Sequence, residues 1–132
     1  MQSGGPTPVL NRSLVGVVRE ASERRALGEI YGARHGLEGL LRQDVIDLRR
    51  PSRATWARIA RTPGAALGST RHKLTSQEVP SAIEALRALD IRYLFIIGGN
   101  DSAETGQRID AESQTAGHDL AVVNVPKTID ND

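Results

Sequence analysis

Cysteine is absent from the 132 residues, so neither a disulfide nor a thiolate metal site can form. Aromatic residues are scarce: one Trp, two Tyr and one Phe leave the core to aliphatic side chains. Trp56 has no second aromatic near it in sequence, so it reads as a packing residue rather than a stacking platform. Net charge is also nearly absent. With 17 basic residues against 16 acidic ones, nothing drives the chain towards nucleic acid or a membrane surface. No apolar stretch approaches the ~18 residues of a membrane span, and no charged-then-apolar leader is visible. A cytoplasmic location is the expectation. His35, His72 and His118 are far apart and lack metal-ligand spacing, so each reads as a surface or packing histidine. No internal repeat or low-complexity linker interrupts the chain.

What remains is a domain-sized chain, 39% apolar, in which strand-like and helix-like patterns alternate. Residues 9–25 carry the apolar stripe of a helix through Leu14, Val17, Val18 and Ala21. Glu29 to Ala33 reads as a short strand, residues 37–41 as a brief helix, and Val45 to Leu48 as a second short strand. Residues 53–61 look helical, with Trp56 and Ile59 on one side, and 62–68 form a loop. Thr75-x-x-Glu78 resembles a capping box ahead of a helix running to Leu89, although Pro80 also suits a first helical turn. The β-branched and apolar runs at 93–97 and 120–125 read as buried strands, with a helix from about 102 to 116 between them. Alternation of this kind predicts an α/β fold: a parallel sheet in three layers, with helices on both faces. The strands at 29–33, 93–97 and 120–125 are expected to belong to that sheet. The Arg-rich stretches at 24–25 and 49–53 read as solvated faces.

Three loops carry the chemistry. Gly4-Gly5-Pro6-Thr7-Pro8 opens the first helix, and Gly98-Gly99-Asn100-Asp101-Ser102 joins a strand to a helix. Glycines allow close approach of a ligand, and the helix starts offer unpaired N–H groups. After the last strand come Pro126, Lys127, Thr128, Ile129, Asp130, Asn131 and Asp132, an ammonium, a hydroxyl and carboxylates at the sheet edge where ligands bind in open α/β folds. An acidic turn would also account for this last stretch alone. Three such loops in this order point instead to a phosphate-rich substrate.

At these residues the chain resembles the phosphofructokinase family. GGPTPVLN, IYGARHGLEGLL, LGSTR, IIGGNDSAETG and VPKTIDND occur in that family's order across nearly all of the sequence. The last two resemble the branch that uses pyrophosphate rather than ATP. Family members are considerably longer, so the resemblance implies that residues 1–132 form part of the N-terminal domain, lack its first strand, and are inactive in isolation. It implies phosphorylation of the 1-hydroxyl of fructose 6-phosphate, in glycolysis, with Mg²⁺, by a homo-oligomer when complete. Two alternatives stay open: an ATP-dependent 6-phosphofructokinase, and a non-catalytic nucleotide-binding or regulatory module on the same fold.

The resemblance also implies roles. Asp130 is the base that takes the proton from the sugar hydroxyl, and Arg71 reaches the transferring phosphate. Thr128, Asp130 and Asp132 lie on the substrate side. Gly4, Gly5, Tyr31, Asn100, Asp101, Ser102 and Lys127 form the donor side, with Gly32 beside Tyr31 and Arg34 as a further phosphate contact or a solvated side chain. ATP-using relatives have glycine at positions 101 and 127. A carboxylate at 101 crowds and repels an α-phosphate, and an ammonium at 127 pairs with pyrophosphate oxygens. Asn100 stands where the family commonly has a magnesium-associated Asp. It keeps a carbonyl oxygen and loses the charge, so the metal is held through water and phosphates, is compensated by Asp101 and Asp132, or is bound more weakly.

Overall fold

The computed structural model describes residues 1–5 and 7–127. In chain order the elements are α1 (Pro8–Glu23), β1 (Tyr31–Ala33), α2 (Leu37–Leu41), β2 (Val45–Asp47), α3 (Arg53–Ala60), α4 (Val79–Ala88), β3 (Tyr93–Gly98), α5 (Asn100–Thr115) and β4 (Ala121–Pro126). Strand β3 pairs with β4 in parallel, from Tyr93 opposite Ala121 to Gly98 opposite Pro126. On the other side of β3, Met1–Ser3 run alongside it. Gln2 bridges Ile97 in parallel, Ile97 N–H donates to the Met1 carbonyl at 2.9 Å, and Ser3 N–H donates to the Ile97 carbonyl at 2.9 Å.

Strand alternation sorts the core into two clusters on opposite faces of β3. Leu94 and Ile96 face α4 (Ala82, Ile83, Leu86), α2 (Leu37, Leu40) and Ile109 of α5. Ile97 faces α1 through Leu10, Leu14 and Val18, together with Leu48 and Leu67. Each fully buried aliphatic side chain contributes about 1.5–3 kcal/mol, which is how a domain with so few rings holds together. Trp56 of α3 is half-buried against the second cluster, as a packing residue. Ser52 caps α3, accepting a hydrogen bond from Thr55 N–H at 3.2 Å.

Three expectations need correction. Strand β1 does not join the parallel sheet; it pairs antiparallel with β2, Tyr31 opposite Asp47 and Ala33 opposite Val45. The connection between them is a tight turn around α2, too short for a parallel crossover and well suited to local antiparallel pairing. Strand β4 is not buried: Val123 is 41% exposed, and only Val122 and Val125 are half-buried. Among the described residues α5 covers one side of it, at Gly106 against the Asn124 side chain. The β-branched run reports a strand, but burial depends on what packs against it. Arg49, although exposed, is not simply solvated, since its guanidinium donates to the Gly28 and Leu27 carbonyls at 2.8 and 3.0 Å.

The capping box at Thr75 is half made. Glu78 accepts from Thr75 N–H at 2.9 Å, while Glu78 N–H finds the Thr75 carbonyl rather than its hydroxyl. Pro80 then lies in the first turn of α4. Gly39 marks the tightest approach in the fold, where a Cβ would run into the backbone carbonyl of Arg34. Because that obstacle is main chain, no rotamer relieves it. Gly39→Ala is expected to destabilise the protein by at least about 3 kcal/mol, measured by denaturant unfolding with the m-value unchanged.

Candidate active site

Parallel pairing delivers the ends of Met1–Ser3, β3 and β4 to one edge of the sheet. Lys127 N–H closes β4 onto the Gly98 carbonyl at 2.8 Å, so the residue after the last strand sits beside the glycine loop that starts α5. Gly98 has to be glycine, because a Cβ there would overlap the Ser102 hydroxyl and lie 3.0 Å from the Ser3 carbonyl oxygen. The 62–71 loop is stitched to the same edge. Gly4 N–H donates to the Thr70 carbonyl at 3.1 Å, Ser3 Oγ donates to it at 3.3 Å, and Ser69 Oγ donates to the Gly4 carbonyl.

Two cations meet over the first loop as a result. The point where a Gly5 Cβ would lie is 3.6 Å from Arg71 Nη2 and 4.0 Å from Lys127 Nζ. Sequence order separates these three residues by scores of positions, and the sheet edge brings them together. Helix α5 begins at Asn100 with Gly99 as its cap and no side-chain capping bond. Asn100 is exposed, and so is Asp101 in the first turn, whose carboxylate pairs with Lys73 at 3.7 Å. Ser102 is buried, its hydroxyl against Gly98 and its N–H bonded to the Gly99 carbonyl at 3.1 Å.

Tyr31 is not gathered into this cluster. It lines an apolar cavity of about 530 Å³ with Met1, Leu14, Val18, Tyr93 and Phe95, and none of the glycine-loop residues or Arg71 lines that space. Gly32 is packed against Leu48 and Leu67 side chains, and Arg34 forms an exposed pair with Asp44 at 3.9 Å. Thr128, Asp130 and Asp132 lie outside the described residues. Among the described residues no group of three or more His, Cys, Asp or Glu side chains could hold a metal.

Sequence reasoning missed the residues that hold the loop leading to Arg71. Gln2 and Asn11 are buried, and their carboxamides clip the 62–67 loop to α1. Leu67 N–H donates to Gln2 Oε1 at 2.9 Å, Ala66 N–H to Asn11 Oδ1 at 2.7 Å, and Asn11 Nδ2 to the Thr62 carbonyl at 2.8 Å. Beyond Arg71, His72 Nε2 lies 2.9 Å from both carboxylate oxygens of Glu78. The Thr75 N–H, and after it the His72 ring, hold the Glu78 carboxyl below the usual range. No motif announces these contacts; each joins residues whose partners are set by the fold.

The phosphofructokinase sequence profile matches residues 1–132, the whole chain. The chain belongs to the phosphofructokinase family. A pyrophosphate–fructose 6-phosphate 1-phosphotransferase from Rhodospirillum rubrum is 40% identical over 131 residues, covering 99% of this chain and 32% of the relative. The crystal structure of a pyrophosphate-dependent phosphofructokinase from Nitrosospira multiformis superposes with a TM-score of 0.93 at 41% identity, covering 99% of this chain and 33% of that one. An ATP-dependent 6-phosphofructokinase from Staphylococcus aureus is 36% identical over 134 residues, covering 100% of this chain and 39% of the relative. This phosphofructokinase chain therefore spans about a third of the length of the pyrophosphate-dependent relatives it matches. The α/β fold expected from the alternating pattern agrees with that superposition. Among the described residues no helix is long and apolar enough to cross a membrane.

Proposed function

We propose that the protein transfers a phosphoryl group from pyrophosphate to the 1-hydroxyl of fructose 6-phosphate, and that residues 1–132 build the donor side of its cleft. The observation that carries this reading is the convergence of Arg71 and Lys127 over Gly5, at the sheet edge where α5 also begins. Phosphoryl transfer asks a protein chiefly for positioning and for charge to offset that on the phosphate oxygens. A guanidinium and an ammonium above Gly5 meet that requirement for a small, densely charged donor. The Asp101 side chain, where ATP-using relatives have glycine, crowds the space of a nucleotide's α-phosphate. The 40% identical relative carries a pyrophosphate-dependent name, which supports the same choice.

In this reading Asp130 takes the proton as the sugar oxygen bonds to phosphorus, the bridging P–O bond breaks, and inorganic phosphate leaves. Thr128 and Asp132 flank the sugar. Asn100, whose side chain is exposed at the start of α5 and offers a carbonyl oxygen, is the residue that would hold Mg²⁺. When bound, Mg²⁺ would supply charge neutralisation to the donor. The complete enzyme is read as a cytoplasmic homo-oligomer whose remaining segments supply the sugar-phosphate contacts.

The 36% identical ATP-dependent relative favours a second reading, in which ATP is the donor. Initial rates with each donor at matched Mg²⁺ separate the two. Pyrophosphate is expected to be preferred in the complete enzyme, and changing Asp101 and Lys127 together to Gly is expected to move preference towards ATP. A parent enzyme that strongly prefers ATP overturns the pyrophosphate reading.

A further inference from the structure

The segment from Thr70 to Leu74 belongs to neither a helix nor a strand, and side-chain contacts fix its course. Three of them are anchored. Buried Thr70 donates its hydroxyl to Glu38 at 2.7 Å, His72 meets Glu78, and Leu74 is 3% exposed in the core. Arg108 of α5 grips the far end, donating to the Leu74 carbonyl and, at 3.2 Å, to Ser76 Oγ. Between these anchors lie two exposed cations. Arg71 reaches Gly5, and Lys73 Nζ lies 3.7 Å from Asp101 Oδ2.

We propose that Lys73 is a specificity-determining positioning residue that acts through Asp101, neutralising its carboxylate so that inorganic pyrophosphate is accepted at the start of α5. This rests on the pyrophosphate reading and adds to it. An uncompensated carboxylate in that turn repels any phosphate donor, whereas an ion-paired one keeps its bulk and repels less. The pair is exposed at both ends, 76% and 73%, so it contributes little to folding. Its counterpart role is equally specific: Asp101 orders a flexible four-carbon stem that would otherwise leave the ammonium solvated and unplaced.

In the complete enzyme, Lys73→Met keeps the stem and removes the charge. Pyrophosphate affinity by calorimetry, and KM for pyrophosphate, are expected to weaken roughly 3- to 5-fold, the upper part of the range of one exposed charge contact. Turnover, KM for the sugar and Tm stay unchanged, and Lys73→Arg retains most of the affinity. In an Asp101→Asn background the same Lys73→Met change is expected to alter affinity less than about twofold, because the charge it offsets is gone. Unchanged affinity in Lys73→Met, or an equal loss in both backgrounds, overturns the proposal. An enzyme that binds pyrophosphate but transfers nothing from it refutes the functional reading alone, and calorimetry still decides on Lys73. One that binds no pyrophosphate overturns both.

Discussion

Replacing Asp130 by Asn in the complete enzyme is expected to lower turnover at least ~100-fold while leaving sugar and donor binding nearly unchanged. The substitution keeps size and one acceptor oxygen and removes the group able to take a proton. A hydroxyl attacking phosphorus must shed its proton as the new bond forms, and a carboxylate beside it makes that loss easy. If Asp130 serves only to position the sugar, Asn does that nearly as well, and the loss appears in KM rather than kcat. Steady-state kinetics over a pH series distinguishes the two, because removing the base also flattens the acidic limb of the kcat profile. A variant with turnover within a few-fold of the parent would mean that another group accepts the proton.

The second large effect is expected at Arg71. Its guanidinium lies over Gly5 beside Lys127, and among the described residues it has no carboxylate partner. A charge held this way, near where negative charge shifts during transfer, acts on the transition state more than on the ground state. Arg71→Ala should therefore reduce kcat by roughly 100- to 1,000-fold, the scale seen when one preorganised stabilising donor is removed. Folding stability should change by less than about 0.5 kcal/mol, because the side chain is exposed. Arg71→Lys keeps a charge without the planar fork and should recover only part of the loss. A fall confined to donor KM, with kcat intact, would assign Arg71 to donor binding alone.

Much of the fold was legible before any coordinates. The apolar runs at 93–97 and 120–125 became β3 and β4, the stripe through Leu14 and Val18 became α1, and Pro8 took its place in that helix's first turn. Local chemistry decides such features, so local pattern reports them. The glycine loops were legible for a related reason, since Gly98 tolerates no Cβ and its neighbours declare a strand-to-helix junction. Other features were not legible. Three residues of β1 carry no information about whether their partner is β2 or β3. Tyr31 sat in a recognisable motif, yet the antiparallel pairing turned it to an apolar cavity rather than to the loops.

The residue types and their order along the chain were enough to specify an α/β chain with glycine-rich loops before its helices and a cationic, acidic segment after its last strand. They also carried the family resemblance. What they could not specify was the meeting of Arg71 with Lys127 over Gly5, or of Lys73 with Asp101. Those distances follow from Met1–Ser3 and β4 lying on either side of β3, and from the Gln2 and Asn11 carboxamides that clip the 62–67 loop in place. Side-chain chemistry is a property of each residue and can be read in line. Charge convergence depends on distances between segments far apart in sequence, and those exist only once the strands have paired.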